Sequence, residues 1–169
     1  MNPQVIVING PTGVGKTTVM SLLASRVPGS VAITGDAVRR FAPTSPAVTR
    51  ALLGVGSTYR IGGQLAALYL RAGAATVFFD YVFDTAVHVE RFTTHLPPEA
   101  AYRLVTLWAA ETTVSRRREG RARAWPPTHL AHDQYRAMEA NLTALGHVLH
   151  TDDLTPEEIC ARLLTELFE

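Results

Sequence analysis

Gly10-Pro11-Thr12-Gly13-Val14-Gly15-Lys16-Thr17 is the stretch whose reading decides the fold. It comes after an apolar, β-branched run, Val5-Ile6-Val7-Ile8-Asn9, and opens into Thr18-Val19-Met20-Ser21-Leu22-Leu23-Ala24, which has a helical pattern. Strand, G-x-x-x-x-G-K-[ST] and helix, in that order, make a phosphate-binding loop in the context its chemistry requires. Glycines at 10, 13 and 15 let the backbone turn its N–H groups inward around an anion. The next helix adds the positive end of its dipole. Lys16 has the reach to touch β- and γ-phosphates, and the Thr17 hydroxyl suits Mg²⁺. Lys16 is also the only lysine in a chain otherwise rich in arginine. A compact ammonium fits inside a tight loop where a broad guanidinium does not. Residues 10–18 therefore predict a site for a nucleoside triphosphate, taken as ATP, with Mg²⁺.

The rest of the chain sets bounds. Its 169 residues suit a single domain over 1–169 with one proper core. A net charge of +1 leaves no global footprint for nucleic acid or an acidic membrane. Cys160 is the sole cysteine, so no internal disulfide forms. No apolar run approaches the about 20 residues of a membrane span. The chain enters its first strand almost at once, which predicts no signal peptide and a cytoplasmic location.

In order, the pattern predicts a helix to Val27 and a second strand over 31–34. A helical turn over 37–41 and a breaker cluster, Pro43-Thr44-Ser45-Pro46, come next. One or two helices over 47–73 lead to a third strand, Thr76-Val77-Phe78-Phe79, closed by Asp80. A helix over 84–95, with Val87, Phe92 and Leu96 near one face, precedes a fourth strand over 102–108. Then come a basic helix over 111–119, a Gly/Pro-bounded loop, a helix over 129–145 and a fifth strand over 147–150. A last helix is capped by Thr155, with Pro156 and Glu158 in its first turn. Strands alternating with helices give an α/β three-layer domain with a five-stranded parallel sheet. Right-handed crossovers bring the C-terminal ends of all strands to one edge, where ligands bind.

Several residues on that edge are candidates for chemistry. Asp36, directly after the second strand, is placed to orient an acceptor hydroxyl and take its proton, and it could also cap the next helical turn. Asp80, at the end of the third strand, fits a carboxylate that meets Mg²⁺ through water, with Thr17 as its partner. Asp84 falls on the next helix and reads as structural. Five arginines, Arg116, Arg117, Arg118, Arg121 and Arg123, lie within eight residues. They suit a lid over about 111–128 that closes on the phosphoryl group and excludes water. Arg117 and Arg121, one helical turn apart, are the favoured pair, with Arg123 next. Arg39 and Arg40 could meet an acidic acceptor or its phosphate. Phe41, Tyr59, Tyr81 and Phe83 could line an acceptor pocket or pack in the core. The six histidines show no metal-ligand spacing.

In its loop, Asp36, Asp80 and arginine cluster, the sequence resembles the small P-loop kinases, and most closely the chloramphenicol phosphotransferase-like group of antibiotic and small-molecule phosphotransferases. That resemblance implies sheet order 2-3-1-4-5, an Asp after strand two acting as base toward the acceptor, and lid arginines after strand four. Asp36 and the stretch 117–123 match those positions. Val38 stands where shikimate-kinase-like enzymes carry a second Asp, and Asp80-Tyr81 replaces their glycine-rich turn. The reading is therefore an ATP-dependent small-molecule kinase. Lys16, Asp36, Arg117 and Arg121 carry catalysis, and Asp36, Arg39, Arg40, Tyr59, Asp80 and Tyr81 contact a hydroxylated acceptor. Segments 37–73 and 81–96 recognise that acceptor, an antibiotic or nucleoside-like compound. Three alternatives stand beside it: a nucleotide or nucleoside kinase, a polynucleotide 5′-hydroxyl kinase, and a nucleotide-binding regulatory module. Nucleic acid is the less favoured partner, no membrane is expected, and the oligomeric state is open.

Overall fold

The computed structural model describes residues 3–41, 56–119 and 128–168. Five strands form the sheet: β1 Gln4–Asn9, β2 Ser30–Thr34, β3 Thr76–Asp80, β4 Ala101–Trp108 and β5 His147–His150. They lie in the order β2-β3-β1-β4-β5 and every pairing is parallel. The described helices are α1 Lys16–Arg26, α2 Gly35–Arg40, α3 Ser57–Arg71, α4 Ala86–Thr93, α5 Glu111–Glu119, α6 Thr128–Asn141 and α7 Pro156–Phe168.

Parity along β1 divides the core. Val5 and Val7 point to one face, where Val77, Phe79 and Leu104 meet α2, α3 and α4 through Val38, Ala66, Leu70 and Phe92. Ile6 and Ile8 point to the other, where Phe78, Val105 and Leu107 meet α1, α6 and α7 through Val19, Leu23, Met138 and Leu163. Helices on both faces require strands apolar on both faces, which explains the unbroken apolar runs. Close approach of α3 to α4 depends on Gly63, where a Cβ would stand 2.2 Å from the Phe92 carbonyl oxygen.

Register aligns the working edge. Ile8 pairs with Asp80 across β1 and β3, and Thr34 with Asp80 across β2 and β3. The buried Asn9 fastens the segment just beyond Asp80. Its Oδ1 accepts from Phe83 N at 2.8 Å, while its Nδ2 donates to Phe83 O and Thr106 Oγ1, both at 3.0 Å. One side chain thus fixes the exit from β3 against β1 and β4.

Three local expectations are corrected. The cap of α2 is Thr34, whose Oγ1 accepts from Ala37 N at 3.2 Å, so Asp36 lies inside the first turn. Val87 is 52% exposed while Phe92 is fully buried. Five residues separate them, about 140° around a helix, so they cannot share a face. The helix expected to reach residue 145 ends at Asn141 and tightens into a 3₁₀ turn over Leu142–Ala144. At α7 the capping box forms as read: Thr155 Oγ1 accepts from Glu158 N at 3.2 Å, and Glu158 accepts from Thr155 N at 2.8 Å. Among the described residues, no helix is long and apolar enough to cross a membrane.

Candidate active site

The loop between β1 and α1 turns on three left-handed glycines, Gly10 at φ 140°, Gly13 at 108° and Gly15 at 113°. An L side chain is disfavoured at those angles. A Cβ on Gly13 would also sit 2.4 Å from the Arg118 side chain, so α5 packs directly on the loop. Lys16 Nζ donates to Gly10 O at 2.8 Å and Pro11 O at 3.1 Å, which holds the ammonium over the cradle. This arrangement of bent backbone, helix N-terminus and one ammonium is chemically a seat for a polyphosphate.

A cavity of about 210 Å³ opens beside the loop. Its lining brings together Lys16, Thr17, Asp36, Asp80 and Tyr81, with Gln134 arriving from α6. The Thr17 hydroxyl donates to the Asp80 carboxylate. Asp80 is 4% exposed, and its pKa is raised by burial. The Thr17 bond, the Lys16 charge and a backbone bond from Gly35 pull it back, while Asp36 pushes it further up. The Thr17 hydroxyl in the first turn of α1 and the buried Asp80 carboxylate at the end of β3, beside a polyphosphate seat, fit Mg²⁺, which takes few protein ligands and completes its shell with phosphate and water. Thr17 and Asp80 are the residues that would hold it.

Asp36 stands at the mouth of the cavity, 3.5 Å from Arg39 Nη2, with 58% of its side chain exposed. Tyr59 and Tyr81 form the far wall, edge to face at 5.3 Å between ring centroids. Tyr59 donates to Val82 O at 2.8 Å and stacks on His88 at 4.3 Å. His88 in turn bonds Asp84, which makes Asp84 a support of that wall, in keeping with its structural reading. Burial raises the pKa of both tyrosines, so each stays a neutral phenol at physiological pH. Phe83 is fully buried in the core, Phe41 is 84% exposed, and Arg40 is exposed at the end of α2. None of these three lines the cavity.

The arginine cluster divides. Arg117 donates to Val14 O at 3.1 Å, to Thr151 O at 2.9 Å and to Asp152 O at 3.4 Å. Its guanidinium thus straps the phosphate loop to the turn after β5 and does not line the cavity of Lys16 and Asp36. Arg118, favoured for no role by its sequence position, is 8% exposed and lies between the loop and α6. The expectations for Arg121 and Arg123 fall outside the described residues. Sequence reasoning also missed Asn9 and Gln134. Gln134 Oε1 accepts the Thr12 hydroxyl at 2.7 Å across 122 residues of chain. No local signal marks it, since a lone Gln in a helix between polar neighbours reads as surface.

Fold and loop together define a P-loop nucleotide-binding domain. Comparison with protein families matches residues 5–145 to an AAA domain, and the chain belongs to that family. No curated protein matches in sequence. Among solved structures, a sugar kinase from Janibacter sp. HTCC2649 is similar at TM-score 0.72 and 20% identity, over 96% of this chain and 93% of that one. The tunicamycin resistance protein of Deinococcus radiodurans is similar at TM-score 0.67 and 18% identity, over 98% and 96%. A gluconokinase from Sinorhizobium meliloti 1021 gives TM-score 0.66 and 20% identity, also over 98% and 96%. These likenesses establish the fold of the small P-loop kinases for this chain.

Proposed function

We propose that this protein, acting as a single kinase domain, transfers the γ-phosphoryl group of Mg-ATP to a hydroxyl of a small, neutral acceptor. One observation carries the reading: a polyphosphate seat and an acceptor-side carboxylate, Lys16 and Asp36, open onto the same cavity. Loop amides and Lys16 bind the β- and γ-phosphates and neutralise the charge that develops between them. Thr17 and Asp80 would hold Mg²⁺, which supplies further charge neutralisation and alignment of the phosphates when bound. Asp36 accepts the acceptor's hydroxyl hydrogen bond and then its proton. The acceptor oxygen bonds to the γ-phosphorus, and the bond from phosphorus to the bridging oxygen breaks to leave ADP.

The wall chemistry favours an uncharged acceptor. Arg39 is paired with Asp36, the phenols of Tyr59 and Tyr81 are neutral, and Val82 adds an apolar edge. Such a surface suits a hydroxylated, partly apolar molecule of the antibiotic or nucleoside type. The resemblance to the chloramphenicol phosphotransferase-like group points the same way, and a sugar kinase and a tunicamycin resistance protein share the fold. An acceptor that already carries a phosphate is the second reading, resting on the presence of Arg39 in the cavity. It predicts that Arg39→Ala raises the acceptor KM about tenfold or more, as loss of a charge-assisted bond should.

The deciding experiment is an ADP-release screen over hydroxylated metabolites and antibiotics, with Lys16→Ala and Asp36→Asn beside the wild type. One compound class should raise turnover in the wild type and in neither variant. Acceptor-independent, slow hydrolysis across the whole screen would sink the kinase reading and favour a nucleotide-binding module.

A further inference from the structure

Gln134 lines the cavity, yet neither phosphate seating, metal binding nor proton transfer to Asp36 requires it. It belongs to α6, and α6 is held in place from three sides. Tyr135 packs on Trp108 at 4.6 Å between ring centroids and donates to Ala109 O at 3.1 Å. Met138 is fully buried. His132 Nδ1 bonds Glu111 of α5 at 2.5 Å. Between these anchors Gln134 reaches Thr12, the loop residue just before Gly13, and both side chains line the cavity shared by Lys16, Asp36 and Asp80. In this bond the carboxamide presents Oε1 to the Thr12 hydroxyl. With Oε1 committed to the Thr12 hydroxyl, the NH₂ group is the free donor of the pair. Among the described residues, nothing else hydrogen-bonds to it. A pre-oriented, neutral donor at the rim of a polyphosphate seat meets the one anion that arrives there, the terminal phosphoryl group.

We propose that Gln134 is a catalytic residue whose amide nitrogen donates to an equatorial oxygen of the γ-phosphoryl group during transfer, with Thr12 as its positioning partner. The inference rests on the kinase reading for its reaction but makes a separate claim about ligand contact. The donor gains strength as phosphorus loosens from ADP and its oxygens carry the charge between leaving and attacking atoms. No proton moves through the amide: the acceptor's proton still goes to Asp36, and ADP leaves as before.

The test needs no knowledge of the acceptor. Affinities of the full chain for Mg-ADP and for the non-hydrolysable triphosphate Mg-AMP-PNP are measured by calorimetry for wild type, Gln134→Ala and Gln134→Glu. Wild type should prefer the triphosphate. Gln134→Ala should cut that preference about tenfold, the loss of one hydrogen bond to a charged group, while Mg-ADP affinity holds within about twofold. Gln134→Glu discriminates contact from scaffolding, because its carboxylate still accepts the Thr12 hydroxyl but repels the phosphoryl. It should lose more preference than the alanine variant. If Gln134→Glu restores the wild-type ratio, Gln134 only props the loop and the proposal is overturned. Equal weakening of both nucleotides overturns it too, as does an unchanged ratio in both variants. A wild type that binds neither nucleotide removes this proposal together with the kinase reading, whereas wild-type binding with an unchanged ratio removes only this one.

Discussion

Asp80 shows how one residue carries opposite demands. Burial makes its charged form costly in the free protein, and the same burial sharpens its attraction for a hard cation. Its raised pKa sets the sign of the pH dependence. Between the unfolded value and the higher folded one, the native state binds more protons than the unfolded state. The free protein therefore loses stability as pH rises through that window, and above the folded pKa the full cost of the buried charge is present. Asp80→Asn should raise the thermal midpoint of the free protein at pH 7 by about 2–4 °C, equivalent to ~1 kcal/mol, and abolish the added stabilisation from Mg²⁺ with ATP. Differential scanning of both proteins with and without Mg-ATP checks each half, and a variant less stable than wild type in the free state contradicts it. Asn9 meets the problem of a buried polar group with neutral chemistry. Its carboxamide satisfies both backbone groups of Phe83, so Asn9→Leu strands a buried donor and acceptor and should cost about 2–3 kcal/mol by denaturant titration.

At the scale of the element, the packing of α3 on α4 sets the tyrosine wall of the cavity. Tyr59 rides on α3 and its stacking partner His88 on α4, so the spacing of the two helices fixes the tyrosine. Gly63 allows that spacing. Gly63→Ala must push the Phe92 backbone away from a Cβ that would stand 2.2 Å from it, and backbone does not yield cheaply. The expected loss is about 1–3 kcal/mol in chemical unfolding, with a larger effect on acceptor affinity than on ATP affinity. Elements differed in how plainly the sequence announced them. β1, the phosphate loop and the cap of α7 were readable because each rests on neighbours within a few residues. Val87 misled because it is apolar like Phe92, although a spacing of five residues turns the two about 140° apart on a helix. Asp36 also offered itself as a cap, but Thr34, two residues earlier, accepts from Ala37 N and takes that place. The roles of Asn9, Arg118 and Gln134 were invisible for a different reason: their partners lie on segments distant in sequence, and no periodicity encodes such a pairing.

For the molecule as a whole, ligand linkage gives the broadest test. A ligand at a hundred times its Kd stabilises the native state by about 2.7 kcal/mol, or roughly 5–11 °C in a chain of this size. Mg-ATP should shift the wild-type midpoint by that amount and leave Lys16→Ala unmoved. An equal shift in both proteins would place the nucleotide somewhere other than the loop. Arg117 brings the order of synthesis into play. Its guanidinium joins Val14 to Thr151, which is synthesised much later than Val14. If that strap is needed to set the loop, the nascent chain cannot recognise a nucleotide until β5 and the turn after it have emerged. A chain ending at Ala140 should then pass through immobilised ATP, and the 169-residue chain should stay behind; retention of both would show that the cradle assembles without its distant clasp.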